Sequence, residues 1–426
     1  MTDASPKRAV LAALSHEPDF SGLLRLPSPE TRAGCNFLRW LDQSGLALSL
    51  MWQLEKHGAT PRMSRTWRDA LGGRQTRNFE RSRDMLNEVG RIDTAFRSFA
   101  VVAALLKGFS LCPDFCDHPS LRHQADLDFL VDPESLRPAA EALRSCGYVA
   151  PHLNETGETC FFTPSKHIPS SRDDLYALQW HRQVDLHISI WEPCPWLPVE
   201  VPQDCLDFAR PQNTLGVDYL SLSLEDKFLV QVLHVFWHSF RSWIRLSWLL
   251  ETATFIDNHR ENLILWNRII KRAASAKLTK SIFAFVLGLV SRLFNTPAPS
   301  GLTSWTATAM TPSLHTWLDN FAIDWAISDW PGSLSNLFLT AEFIPDPDLR
   351  LQYWRSRLLP RKSHSSIGSV ATAGTREFLQ LQAARLSYVA HRAAVHMKDI
   401  VALPWQQFRW KRALESSRRP GFEPNC

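Results

Sequence analysis

Asp126-Leu127-Asp128-Phe129-Leu130-Val131, closed by Asp132-Pro133, is the stretch on which the reading of this chain turns. A compact apolar run stopped by a turn dipeptide predicts a strand over Leu127–Val131. Side chains alternate across a strand, so Asp126 and Asp128 share one face while Leu127 and Phe129 share the other. Two carboxylates on one face repel each other, and a divalent cation is the usual partner that relieves the repulsion. A second acidic pair, Asp346-Pro347-Asp348, is read as a surface turn because of its central proline.

Working outward, Val184-Asp185-Leu186-His187-Ile188 alternates in the same way within a predicted strand over Val184–Trp191. It puts Asp185 and His187 on one face. If the two strands are neighbours, Asp185 joins Asp126 and Asp128 around one or two Mg²⁺ (or Mn²⁺) ions. A pair of such ions about 3.5–4 Å apart can clamp an in-line phosphoryl displacement. His187 is a candidate for orienting a metal ligand or the substrate, and equally for a structural hydrogen bond. Upstream lies Lys107-Gly108-Phe109-Ser110. Glycine there lets the backbone approach a triphosphate closely, with Lys107 and Ser110 within reach of its oxygens. Arg122, four residues before Asp126, is a candidate cation for the phosphates or a structural partner for the carboxylates.

Around these motifs the periodicity changes twice. Helical spacing runs over Cys35–Lys56 and, after a polar stretch Arg62–Arg83, over Met85–Leu106. A helix over Glu134–Ser145, closed by Gly147, leads to a strand beginning at Tyr148-Val149, and His152–Asp174 reads as polar and irregular. Helices are predicted over Glu225–Phe240, Arg245–Asn258, Asn262–Ala276 and Thr279–Phe294. A linker follows at 296–304, then a mainly helical C-terminal third with a Ser-rich break at 363–369. The class expected is α+β, a small mixed sheet flanked by N-terminal and C-terminal helical regions. Its four parts are 1–84, 85–215, 216–295 and 296–426.

The chain has 426 residues, 45% hydrophobic and 21% charged, which excludes disorder and a small disulfide scaffold. Its net charge of +4 is uneven: residues 350–426 hold 14 Lys and Arg against 4 Asp and Glu. That basic region reads as solvated helical faces or as a surface for nucleic acid. The first 30 residues lack a secretory leader pattern, and no apolar run approaches the roughly 20 residues that span a bilayer. A cytoplasmic protein with reduced cysteines and no membrane partner is therefore expected. Cys112, Cys116 and His118 lack the spacing of a zinc site, and no second ligand pair follows. His234 and His238, one helical turn apart, and the 17 tryptophans are read chiefly as packed core. The phosphate-binding loop, dinucleotide, nucleophile-elbow and zinc-protease signatures are absent.

Taken in order, Leu106-Lys107-Gly108, Arg122 with Asp126–Val131, Gly147-Tyr148 and Val184-Asp185-Leu186-His187 resemble a poorly characterised nucleotidyltransferase family of the DNA-polymerase-β-like superfamily. The likeness covers about residues 85–260 and extends more loosely through Leu224-Glu225-Asp226, His234 and the helix of Trp243–Leu250 to Arg355–Pro360. It implies a nucleotidyltransferase core binding Mg²⁺-NTP, with Asp126, Asp128 and Asp185 as metal ligands. Lys107, Gly108 and Ser110 would form the phosphate-binding turn, and Glu251 stands where the likeness implies Asp. The acceptor, whether small molecule, protein or RNA, is left open. Two other readings stand beside this one: an inactive nucleotide-binding or protein-interaction module, and a nucleic-acid-binding protein using the basic C-terminal region.

Overall fold

The computed structural model describes residues 5–163, 175–176, 178, 182–192, 194–241, 244–275, 278–329, 333–359 and 375–417. Trp243, Pro360, the Ser-rich break at 363–369 and residues 164–174 of the expected irregular stretch lie outside the described residues. The chain divides into two compact units. One comprises Met1–Cys194, Pro198–Trp237 and Arg245–Ala309; the other comprises Pro195–Leu197, His238–Ile244 and Met310–Cys426.

The first unit is organised by a 34-residue helix, Arg65–Ser98, started by Ser64, whose Oγ accepts from the Trp67 amide at 3.3 Å. This corrects the helix expected over Met85–Leu106 at both ends. The polar stretch before Met85 is helical too, but it buries a narrow stripe (Trp67, Leu71, Asn78, Arg81, Ser82) with too few apolar residues to register as a period. At the far end Ala100 takes φ +55°, and Ala103–Leu105 becomes a strand, β1. A similar break splits Cys35–Lys56 into Arg32–Ser44 and Ala47–Lys56, where Gly45 adopts φ +77°.

Five more strands complete one mixed sheet: β2 (Asp126–Val131), β3 (Thr159–Phe162), β4 (Gln183–His187), β5 (Arg210–Thr214) and β6 (Val217–Ser221). Their spatial order is β3-β4-β2-β1-β6-β5. Strands β2 and β4 run parallel, as do β1 and β6, while the remaining neighbours are antiparallel. The strand expected at Tyr148-Val149 is a single bridge from Val149 to Phe162, and β3 lies in the stretch expected to be irregular. The β5–β6 hairpin, also unanticipated, turns on Leu215 and Gly216, both at positive φ (+49° and +87°), which suits the right-handed twist of its strands.

Leu127, Phe129 and Val131 of β2 and Val184 and Leu186 of β4 pack against Met85, Val89, Ile92 and Phe96 of the long helix and against the helix Leu136–Ser145. Phe96 meets Phe129 edge to face at 5.2 Å. Because the strand period is two, this apolar packing obliges Asp126, Asp128 and Asp185 to face the other way; a one-residue slip would bury them in the core.

Helices Leu224–Arg241, Leu246–His259, Leu263–Ala274 and Thr279–Phe294 follow much as expected. The expected linker at 296–304 is partly helix, Ser300–Thr306, because Pro299 suits a helix entrance and Leu302 is buried. In the second unit Trp317 donates to the Ser335 carbonyl at 2.9 Å and Trp410 stacks on Phe338. There Asp346 is no surface turn. Its carboxylate caps the helix Pro347–Leu358 by accepting from the amides of Asp348 and Leu349, and Pro347 occupies the first turn. Among the described residues no helix is long and apolar enough to cross a membrane.

Lys227, on Leu224–Arg241, yields a test of this packing. Its buried ammonium donates to Gln212 Oε1 at 2.8 Å, and burial lowers its pKa from 10.5 to about 8. The unfolded chain thus binds more protons between these values, so stability rises as pH climbs from 8 towards 10.5. In thermal unfolding across that range, Lys227→Met is expected to flatten the rise; an unchanged slope would refute the assignment.

Candidate active site

Parallel pairing of β2 and β4 sets Asp128 directly opposite Asp185, Asp126 opposite Gln183 and Leu130 opposite His187. The antiparallel β3 then sets Cys160 opposite Asp185, so that Asp128, Asp185 and Cys160 form a row across three strands. Asp128 Oδ1 is approached by His187 Nε2 at 2.9 Å and by Lys107 Nζ at 3.1 Å. Both oxygens of Asp185 accept from Gln183 Nε2, at 2.7 and 2.8 Å. Asp128, Asp185 and His187 are buried, while Asp126, Gln183, Lys107 and Cys160 are half-buried.

The electrostatics sort the three carboxyl groups. Burial together with the charges of Asp128, Glu158 and Asp126 pushes Asp185 up to about 8, against a partial opposing effect from Gln183. Burial and Asp128 also raise Asp126. Asp128 goes the other way: burial would raise it, but Lys107 and the hydrogen bond from His187 outweigh that and hold it below the usual carboxylate range. The row therefore holds more carboxyl groups than its own cations can keep ionised. Hard oxygen donors crowded in this way fit a divalent cation.

Glu158 and Cys160, just before and within β3, belong to this neighbourhood and are not among the expected site residues, because the sequence of 152–174 reads as irregular. Glu158, Cys160 and Asp185 offer ligand atoms all within 4.8 Å of one another. Burial and the adjacent carboxylates raise the Cys160 thiol, which donates to Glu158 Oε1 at 3.2 Å and so acts as a hydrogen-bond donor. The adjacent aromatics Phe161-Phe162, residue types that favour strands, are the local signal for this element.

The anticipated phosphate turn is a one-turn 3₁₀ helix, Gly108–Leu111. Gly108 has φ +71°, and a Cβ there would lie 2.6 Å from Gln124 Oε1, so only glycine fits. Ser110 is buried and donates to the Lys107 carbonyl at 3.2 Å, closing the turn on itself. Lys107 points to Asp128. Arg122 does not contact the carboxylate row: its Nε donates to Glu251 Oε1 at 2.8 Å, while Gln231 holds the other Glu251 oxygen at 3.0 Å.

Beside Asp126 lies a second group of charges, all cationic. Arg81, on the long helix, is lowered to about 10 by burial and by Arg182, and the charge of Asp126 opposes that shift. Arg245 is likewise lowered by burial and by Arg122. Its Nη1 donates to the His123 carbonyl at 3.2 Å, and its Nη2 lies 3.4 Å from His123 Nδ1. His123 Nε2 faces the Leu175 carbonyl at 2.6 Å, and burial with Arg245 and Arg81 holds its pKa well below 6.5. The imidazole is thus neutral, with its proton on Nε2 and Nδ1 as acceptor.

A six-strand mixed sheet with helices before and after it, bearing a row of carboxyl groups on the face turned away from its apolar core, defines an α+β protein. The model of a family described as uncharacterised nucleotidyltransferase matches residues 35–295, and the chain belongs to that family. No curated protein and no solved structure matches it.

Proposed function

We propose that this protein transfers a nucleoside monophosphate from an NTP to an acceptor hydroxyl, amine or phosphate and releases pyrophosphate. The observation that carries this reading is the register that sets Asp128 opposite Asp185 with Asp126 beside them on one face. Asp126, Asp128 and Asp185 would hold Mg²⁺ (or Mn²⁺), which when bound neutralises charge on the phosphoryl oxygens. Lys107 and His187 fix Asp128 from two sides, and Gln183 fixes Asp185. In the reaction an acceptor lone pair forms a new bond to the α-phosphorus, and the bond to the bridging oxygen breaks with its electron pair leaving on pyrophosphate. A proton on the acceptor leaves as the new bond forms, to a carboxylate of this face or to solvent.

A nucleotide-binding module without turnover is the second reading, favoured by the Lys107–Asp128 ion pair and the self-closed Gly108 turn. One experiment separates the two. Purified protein is incubated with α-³²P-labelled NTPs, Mg²⁺ or Mn²⁺ and a cell extract, beside Asp126→Ala/Asp128→Ala. Label passing to an extract component or to the protein itself only with the intact pair is the expected result. NTP binding with no transfer in any extract would favour the module, and absence of both would remove the nucleotide reading.

A further inference from the structure

Arg81 is 1% exposed, and neither of its terminal guanidinium nitrogens has a hydrogen-bond partner. Arg245 Nε, also buried, is unpartnered too. The other cations nearby are matched: Arg122 by Glu251, Lys107 by Asp128, and Arg182 by Glu88 and Asp84. Neither Arg81 nor Arg245 has a carboxylate within ion-pair distance among the described residues, and their adjacent histidine is neutral, with its proton turned to Leu175. A buried guanidinium without an anion is among the most costly groups a fold can hold, so Arg81, with the like charge of Arg245 acting on it, calls for an anion that the described residues do not supply.

We propose that Arg81 and Arg245 form a polyphosphate-binding subsite that receives the β- and γ-phosphates of the nucleotide. The inference rests on the nucleotidyltransferase reading, which supplies an anion of the required charge next to the carboxylate row. Guanidinium groups take phosphate oxygens in pairs, and the two come from separate segments, Arg81 from the long helix and Arg245 from the residue before Leu246–His259, so that a chain of phosphates can bridge them. Arg81 sits in mid-helix, in phase with the core residues Met85, Val89, Ile92 and Phe96, and is therefore held in place before any ligand arrives. The Gly108 turn, closed by Ser110, and the engaged Lys107 leave this charge to be countered from Arg65–Ser98, outside the sheet.

The test is calorimetric titration of the full chain, free of divalent metal, with inorganic tripolyphosphate, orthophosphate and AMP. Tripolyphosphate is expected to bind at least tenfold more tightly than orthophosphate, and Arg81→Gln and Arg245→Gln each to weaken it tenfold or more while AMP binding stays within twofold. Without ligand, Arg81→Gln should melt no lower than the wild type, since it removes an unpaired buried charge; a purely structural arginine would give a lower melting temperature. Wild-type tripolyphosphate affinity in both variants overturns the proposal, as does equal binding of tripolyphosphate and orthophosphate, which would point to a monophosphate on the acceptor. If a glutamine variant fails to fold, Arg81→Lys and Arg245→Lys keep the charge but remove the fork, and undiminished binding in both overturns it equally. Arg81-dependent tripolyphosphate binding in a protein that transfers nothing upholds the subsite and removes the reading beneath it. Transfer with an NTP KM unchanged in Arg81→Gln does the reverse.

Discussion

Asp128→Asn is expected to reduce label transfer roughly 10³-fold, because several kcal/mol of charge stabilisation is lost at about 1.4 kcal/mol per factor of ten. Asparagine keeps an oxygen for Lys107 Nζ and His187 Nε2 but removes the charge that both approach. The fold should therefore survive, and an unchanged melting temperature would show that. His187→Asn tests the same carboxylate from the other side. It removes one of two groups orienting Asp128, so its effect should be of the order of tenfold, within the usual range for a hydrogen bond to a charged group. The measurement is initial rate of label transfer under saturating NTP. Near-wild-type rate in Asp128→Asn would sink the assignment of the carboxylate row as the reaction centre.

The largest expected stability effect lies away from that row. Glu251 is buried, accepting from Arg122 Nε at 2.8 Å and Gln231 Nε2 at 3.0 Å; burial would lower the Arg122 pKa, but the Glu251 carboxylate outweighs it and leaves it above its ordinary value. Glu251→Ala strands a guanidinium in the interior and is expected to cost about 3–5 kcal/mol, read as a fall in the urea midpoint of the unit that contains it. The double change Arg122→Met/Glu251→Leu should recover most of the loss, since a well-packed apolar pair costs less than a broken ion pair. A loss below about 1 kcal/mol in the single variant would show that water reaches Arg122 and that the pair is a surface one. The contrast with Arg81 is instructive: both side chains are largely withdrawn from solvent, but among the described residues only Arg122 has a counter-ion.

Local pattern carried the sheet's centre and most of the helices after residue 223. The alternation in Asp126–Val131 and in Val184–His187 placed each carboxylate on the polar face, and the helix over Thr279–Phe294 ends where its period ends. Short elements held by distant partners escaped the same method. Strand β1 is three residues long and exists because β2 and β6 lie on either side of it. Thr159–Phe162 reads as polar surroundings interrupted by two aromatics until β4 is laid beside it. Asp346 looks like a turn residue because an N-cap and a turn use the same amino acids for the same reason, a carboxylate satisfying nearby amides.

By itself the sequence determined the α+β class, the face on which Asp126, Asp128, Asp185 and His187 stand, and the likeness to the family that the comparison then showed. Those depend on the two-residue strand period and on the order of motifs, both of which are local properties. Only the tertiary structure decided that Asp185 stands opposite Asp128, that Lys107 turns to that carboxylate, that Arg122 belongs to Glu251, and that Arg81 is buried without a partner. Each of these is a pairing between segments tens of residues apart. Which charge meets which is settled by strand register and helix packing, and neither is written in the spacing of any one segment.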